Sequence, residues 1–375
     1  MAIPYGRQSI DQSDIDAVVE VLRGDWLTIG PKVGEFEAAV AQVAGTADAT
    51  VVTSGTAALH TAYAAIGIGP GDEVVTTPLT FAATASTAIA EGATVRFADI
   101  LEDTGNIDPA AVAAHMTDRT RVVAAVDYGG HPADIDDLLT IAHASGALVL
   151  EDAAHSIGSL TKGRPVGSVA DVTTFSFFPT KNLTTGEGGA VSSPDAALVE
   201  RARRFRSHGI TRDPAEQRYP DEGPWHLEVQ RIGLNYRLPD ILCALGLNQL
   251  KRLAAFKERR RAIFDRYVDA LGDLDDLRLP TVRSDVDPMW HLFAVRVPAD
   301  RRRSIFEFLR ANGVLVQVNY IPTYWHPAYE DLGYQRGQCP IAEQFYREQI
   351  SLPMFADLAV ADQDRVIELV RKALR

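Results

Sequence analysis

The chain has 375 residues, 46% of them hydrophobic and 23% charged, with 37 basic against 50 acidic side chains for a net charge of −13. These are the values of a globular chain of about two to three domains, and they argue against long disorder. The acidic balance argues against a general nucleic-acid backbone binder and leaves room only for a local basic site, while two cysteines, Cys243 and Cys339, are too few for a disulfide framework or a zinc ribbon.

The opening Met-Ala-Ile-Pro-Tyr has no basic region followed by an apolar one, so no signal peptide is expected and the cytoplasm is the default compartment. The longest uncharged stretch, Ala49 to Gly71, contains Ser54-Gly55-Thr56, His60 and a Gly-Pro-Gly turn, which makes it strand, turn and helix rather than a membrane span. Ala49–Thr53 reads as a strand and Ala57–Ile68 as a helix. Strand Glu73–Thr77, helix Phe81–Ala90, strand Thr94–Ile100, helix Pro109–Met116 and strand Arg121–Val126 follow. Helix Ile135–Ser145 and strands Ala147–Glu151, Asp171–Phe177 and Gly189–Ser192 complete the series. Such β-α-β units predict an α/β fold with a largely parallel sheet covered by helices, and ligands beyond the carboxyl ends of its strands.

Near Trp225–Asp240 the character changes. Leu238–Ala255 reads as one helix with Pro239 near its start, followed by a charged helix, Lys257–Leu271. Strand Trp290–Val297, helix Arg301–Asn312, strand Val314–Tyr320 and helix Ala361–Leu374 make a smaller α+β domain. The expected division is residues 1–250 and 251–375. The runs Arg259–Arg261 and Arg301–Arg303 are expected on solvated helix faces.

Chemistry is sought at the strand ends. Ser54-Gly55-Thr56 is either an ordinary helix cap or a cradle of free amides for a phosphate. Asp152 directly follows a buried strand, a costly place for a carboxylate unless it meets a cation. His155, three residues on, is alone no more than a packing histidine. Lys181 lies between an apolar strand and the glycine-rich turn Thr184–Gly189; a partly desolvated lysine is an amine nucleophile, and a loop lysine in water is not. Together, Asp152, Ser176 and Lys181 at one sheet edge with a phosphate-type helix start match pyridoxal phosphate. That cofactor needs a lysine, a carboxylate for its ring nitrogen, phosphate donors and a flat group on its ring, here Phe81. No metal site is expected.

These segments resemble the DegT/DnrJ/EryC/StrS family of sugar aminotransferases, across nearly the whole chain. The matching blocks are Thr53–Leu59, Thr76–Phe81, Glu151–His155, Phe175–Lys181, Thr184–Gly189 and Gly233–Arg237. The resemblance implies the type I, aspartate aminotransferase-like fold of pyridoxal phosphate enzymes. It implies Lys181 as the covalent anchor, Asp152 on the ring nitrogen and His155 near the ring hydroxyl. Ser54, Gly55, Thr56 and Ser176 would hold the phosphate, and Phe81 would stack on the ring. Asn235 would reach a neighbouring subunit's phosphate, so a homodimer with shared sites is implied. The segments Tyr5–Gln8, Arg206–Asp213, Val316–Pro322 and Ile350–Pro353 are most similar to the pseudaminic acid branch of the family. That branch aminates C4 of UDP-2-acetamido-2,6-dideoxy-L-arabino-hexos-4-ulose, and L-glutamate is the implied donor. Phe178-Pro179-Thr180-Lys181 departs from that branch's His-Pro-Val-Lys, which leaves dTDP- and GDP-linked ketosugars open. Tyr5, Arg7, His208, Arg212, Arg237, Tyr320 and His326 are candidate nucleotide or sugar contacts. Three other readings are a sugar dehydratase, which would have histidine in place of Lys181, a non-enzymatic regulator that only binds cofactor, and a nicotinamide dehydrogenase, whose glycine fingerprint is missing at Thr53–Thr56.

Overall fold

The computed structural model describes residues 2–375. Two helices, α1 (Gln12–Arg23) and α2 (Pro31–Ala44), precede the main sheet. Asp11 caps α1 by accepting from the amides of Ser13 and Asp14, and Asp14 returns a bond to the Asp11 amide. Asp14 is also buried, and it accepts from Asn248, Gln249 and Arg252 at 2.8–2.9 Å. That carboxylate therefore docks α1 on the helix Asp240–Lys251, as a buried charge requires.

Seven strands follow: β1 (Asp48–Val52), β2 (Glu73–Thr76), β3 (Thr94–Phe97), β4 (Thr120–Val126), β5 (Leu148–Asp152), β6 (Val172–Ser176) and β7 (Gly189–Ser193). Their order across the sheet is β1-β7-β6-β5-β4-β2-β3. All neighbours are parallel except β7, which runs antiparallel to both β1 and β6. β4 reads Thr-Arg-Val-Val-Ala-Ala-Val and is buried over five of its last residues, as a central strand covered on both faces should be. The helix α3 (Gly55–Ile66) returns from β1, capped by Ser54 at its start and by Gly67 at φ 91° at its end.

The small domain packs helices Leu253–Leu271, Arg302–Ala311 and Val360–Leu374 around an antiparallel pair, Phe293–Arg296 and Gln349–Leu352. Its core centres on Phe264, Tyr267 and Phe293, with Trp290 stacked on Phe264 at 4.1 Å. The N-terminal strand Ile3–Pro4 pairs in parallel with Val314–Leu315 of this domain. No helix among the described residues is long and apolar enough to cross a membrane.

Three expectations are corrected. The single helix Leu238–Ala255 is two, broken at Arg252, whose guanidinium is drawn to Asp11 and Asp14. The apolar period runs through the break, so sequence alone does not see it. Strand Val314–Tyr320 ends at Leu315, because the backbone of Asn319 bonds instead to the side chains of Gln349 and Tyr128. Arg260 is not on a solvated face: it is 2% exposed, donating to the carbonyls of Trp290 and Met354.

Helix Asp240–Lys251 crosses α2 at Gly246, where an added Cβ would lie 2.4 Å from the ring of Phe36. Phe36 is fully buried against Phe177 and has no room to swing. Gly246→Ala is expected to lower stability by about 1–3 kcal/mol through overpacking, read from the urea midpoint of unfolding.

Candidate active site

The carboxyl ends of β1, β2, β5 and β6 open into one cleft of about 750 Å³, closed on its far side by the small domain. Ser54, Gly55, Thr56, Phe81, Asp152, His155, Ser176, Lys181, Tyr5 and Tyr320 all line it. The parallel sheet explains the gathering, since each of those strands delivers its following loop to the same edge.

Lys181 sits on a turn that closes with its amide donating to the Phe178 carbonyl at 2.9 Å. Asn182 pins that turn by donating to the Met289 carbonyl at 2.6 Å. Burial pushes the Lys181 amine down to about 8, against a smaller upward pull from Asp152. Asp152 is buried at the end of β5 and accepts from the Thr84 hydroxyl at 2.7 Å and the Ala154 amide at 3.2 Å. Burial raises its carboxyl, while Thr84, Lys181 and the Ala154 amide pull it back down. Asp152 makes no ion pair among the described residues; its polar partners are the neutral Thr84 hydroxyl and the Ala154 amide.

The phosphate-type cradle lies at the start of α3. Ser54 Oγ accepts from the Ala57 amide at 3.0 Å, and the Ser54 carbonyl accepts from Ala58. The amides of Gly55 and Thr56 have no acceptor among the described residues. Ser176 presses on this turn so closely that a Cβ at Gly55 would lie 2.7 Å from its own. The cradle therefore needs a residue without a side chain at that position. Phe81 is 64% exposed at the cleft edge, an open aromatic face beside Tyr320.

His155 is buried. The Gly129 amide donates to its Nδ1 at 3.3 Å, and its Nε2 lies 3.0 Å from the Tyr320 hydroxyl. Burial, helped by the charge of Lys181, holds this imidazole well below its usual range, so it is neutral at physiological pH.

Some expected contacts lie elsewhere. Arg7 lines a separate small groove together with Lys181 and Arg260. Asn235, His208, Arg212, Arg237 and His326 do not line the cleft of their own chain. Asn235 and His208 are exposed, with His208 at φ 64°, and Asn235 bridges Ser207. Sequence reasoning missed Thr84, His291 and Asn319, all of which line the cleft. Thr84 looks like any small residue of a helix, and His291 and Asn319 sit in runs that read as strands; no local signal marks them.

The residues present fit pyridoxal phosphate. A depressed amine, a buried carboxylate without a cation, a cradle of free amides that only glycine permits, and an open aromatic face surround one cavity.

Comparison with known proteins follows the same line. The family described as DegT/DnrJ/EryC1/StrS aminotransferases matches residues 8–371. The spore coat polysaccharide biosynthesis protein SpsC of Bacillus subtilis is 41% identical over 379 residues, covering 100% of this chain and 97% of that protein. UDP-4-amino-4,6-dideoxy-N-acetyl-beta-L-altrosamine transaminase of Campylobacter jejuni is 38% identical over 367 residues, covering 96% of this chain and 94% of the relative. The solved structure of Helicobacter pylori PseC, an aminotransferase involved in the biosynthesis of pseudoaminic acid, superposes with a TM-score of 0.93 at 31% identity, covering 100% of this chain and 99% of that one.

The depressed lysine has a direct readout. In protein freed of cofactor, reductive trapping with a small aldehyde should label residue 181, with a rate that rises to a plateau above pH about 8. A profile centred near the ordinary lysine value of about 10.4 would place the amine in water and contradict its burial.

Proposed function

The chain belongs to the DegT/DnrJ/EryC1/StrS aminotransferase family, and from that premise we propose that it carries the amino group of L-glutamate to the C4 ketone of a nucleotide-linked 4-keto-6-deoxy sugar. UDP-2-acetamido-2,6-dideoxy-L-arabino-hexos-4-ulose is the first candidate, supported by kinship with the Campylobacter transaminase and with PseC. SpsC, at higher identity, is named for spore coat polysaccharide biosynthesis, so dTDP- and GDP-linked ketosugars belong in the same test. The observation that carries the reading is Lys181 and Asp152 facing one cavity, Asp152 buried and Lys181 half-buried, and neither satisfied by the other.

Pyridoxal phosphate would be held by Lys181 covalently, by the Gly55 and Thr56 amides with Ser176 at its phosphate, and by Phe81 over its ring. When bound, it supplies a conjugated system that accepts electron density as the bond beside the amine nitrogen is made or broken. The chain does the rest. Asp152 would keep a proton on the ring nitrogen, and the Thr84 hydroxyl, by donating to that carboxyl, favours its ionised form against the pull of burial. Once the donor's own amine has displaced it from the cofactor, the free Nζ of Lys181, neutral above about pH 8, would take the α proton of the donor and, in the second half of the cycle, return one to C4 of the acceptor sugar. His155 holds its Nε2 hydrogen toward Tyr320 and the cleft, where it would face the ring hydroxyl.

A second copy of the chain is part of the reading. The ligands are a phosphate, a nucleoside diphosphate and a dicarboxylate, but no arginine lines the cleft of a single chain. The segment after Arg206 forms a hairpin, Ile210–Thr211 with Glu228–Val229, on which Trp225 is 76% and Ile232 83% exposed. Arg212, Arg218 and Arg231 of the same segment are exposed and make no ion pair among the described residues. Apolar surface and free arginines together suit a neighbouring copy's cleft, with Asn235 reaching its phosphate.

L-Glutamate should bleach the visible band of the loaded protein, and a 4-keto sugar nucleotide should restore it, with the UDP sugar most effective. Lys181→Ala should abolish both changes while leaving thermal unfolding near that of the parent. A band that no amino acid bleaches would overturn the aminotransferase reading for this chain.

Shared sites have their own test. Lys181→Ala and Asn235→Ala homodimers should each be impaired, and subunit exchange between them should restore activity that neither shows alone. Failure of exchange to restore any activity would place Asn235 within its own chain's chemistry.

A further inference from the structure

The cleft wall holds a second imidazole. His291 lies in the segment that leads into the small-domain strand Phe293–Arg296, is 3% exposed, and lines the cleft. Its ring centre is 4.4 Å from that of His155, with the two planes inclined by 37°. One residue fixes both histidines. The Gly129 amide donates to His155 Nδ1 at 3.3 Å, and the Gly129 carbonyl accepts from the amides of His291 at 2.8 Å and Leu292 at 3.1 Å. A backbone amide can only donate, so Nδ1 of neutral His155 carries no proton. Its Nε2 therefore does, and donates to the Tyr320 hydroxyl at 3.0 Å.

We propose that His291 is a positioning residue: its flat ring backs His155 and holds the Nε2 hydrogen in the plane that faces Tyr320 and the cleft. Two features of the site support a plate rather than an acid or base. Nδ1 of His291 is buried with no hydrogen-bond partner among the described residues, so that nitrogen has no protein acceptor to relay a proton to. The charged and titratable groups that bear on the ring are His155, Lys181 and Arg260, none of them an acid that would favour an imidazolium. Burial with those neighbours holds His291 well below its usual range. Because Tyr320 and His291 both come from the small-domain half of the chain, His155 is gripped by that half on its edge and on its face.

The inference rests on the proposed cofactor site, with His155 beside the ring hydroxyl. Its test is a double-mutant cycle over His155→Gln and His291→Ala, read as the affinity of cofactor-free protein for pyridoxal phosphate and as kcat and KM for the donor. His291→Ala is expected to weaken cofactor binding roughly tenfold and to lower kcat more than it raises KM, and to do neither further once His155 is glutamine, the coupling expected of side chains in contact. His291→Phe, which keeps a flat ring, is expected to stay within about threefold of the parent on both readouts. A cycle in which the two losses simply add, a His291→Ala protein with unchanged affinity, or a His291→Phe protein as damaged as the alanine variant would each overturn the inference. Thermal unfolding of His291→Phe guards against loss of fold. Failure of the parent protein to bind pyridoxal phosphate at all would instead sink the proposed function and the inference with it.

Discussion

The structure depends on two opposite charges held in one cavity without touching. Lys181 and Asp152 both lose water on folding, and an ion pair between them would be the ordinary remedy. The fold denies them that remedy. Asp152 ends a central strand and is turned toward Thr84, while the Lys181 turn is tied back by Asn182 to the segment entering the small domain. A lysine left unpaired loses its proton readily, and an acid left unpaired draws in whatever cation the ligand offers. The same separation gives the protein a nucleophile and an electrostatic anchor at once.

Such a separation needs rigid support, which comes from the sheet. Parallel strands place the ends of β1, β5 and β6 on one edge, so the phosphate-type cradle, the acid and the lysine turn are fixed relative to each other by backbone bonds. The antiparallel β7 closes the remaining gap to β1, and the Ser54 carbonyl lies so near Gly189 that a side chain there would collide with it. The small domain then adds the wall that carries Tyr320, Asn319 and His291. The cleft is thus lined by residues from both halves of the chain, and neither half supplies all of them.

Electrostatics sets a further requirement. An acidic chain with an arginine-free cleft is a poor host for phosphates and carboxylates. The hairpin after Arg206 exposes both apolar and cationic groups that have no use within the single chain. The second copy proposed above would answer the mismatch on both sides, the arginines of one chain facing the cleft of the other.

Much of this was legible in the linear chain. The alternation of apolar runs and helical periods announced the parallel sheet, because strands covered on both faces read as uninterrupted Val and Ala. Lys181, Asp152, Ser54, Gly55, Thr56, Ser176 and Phe81 could be singled out because each stands at or just beyond the carboxyl end of a strand. The break at Arg252 could not be, since two helices in line keep one apolar period. Nor could the burial of Arg260, which sits in a run of three arginines and differs from its neighbours only in the direction it faces. Thr84, His291 and the network around His155 depend on contacts between residues far apart in the chain. Local pattern along the chain set which residue types stand at which strand ends, because short-range periodicity governs secondary structure. Which of them meet, which charges stay unpaired and which face of a helix is dry followed only from packing, because desolvation and contact arise when distant segments come together.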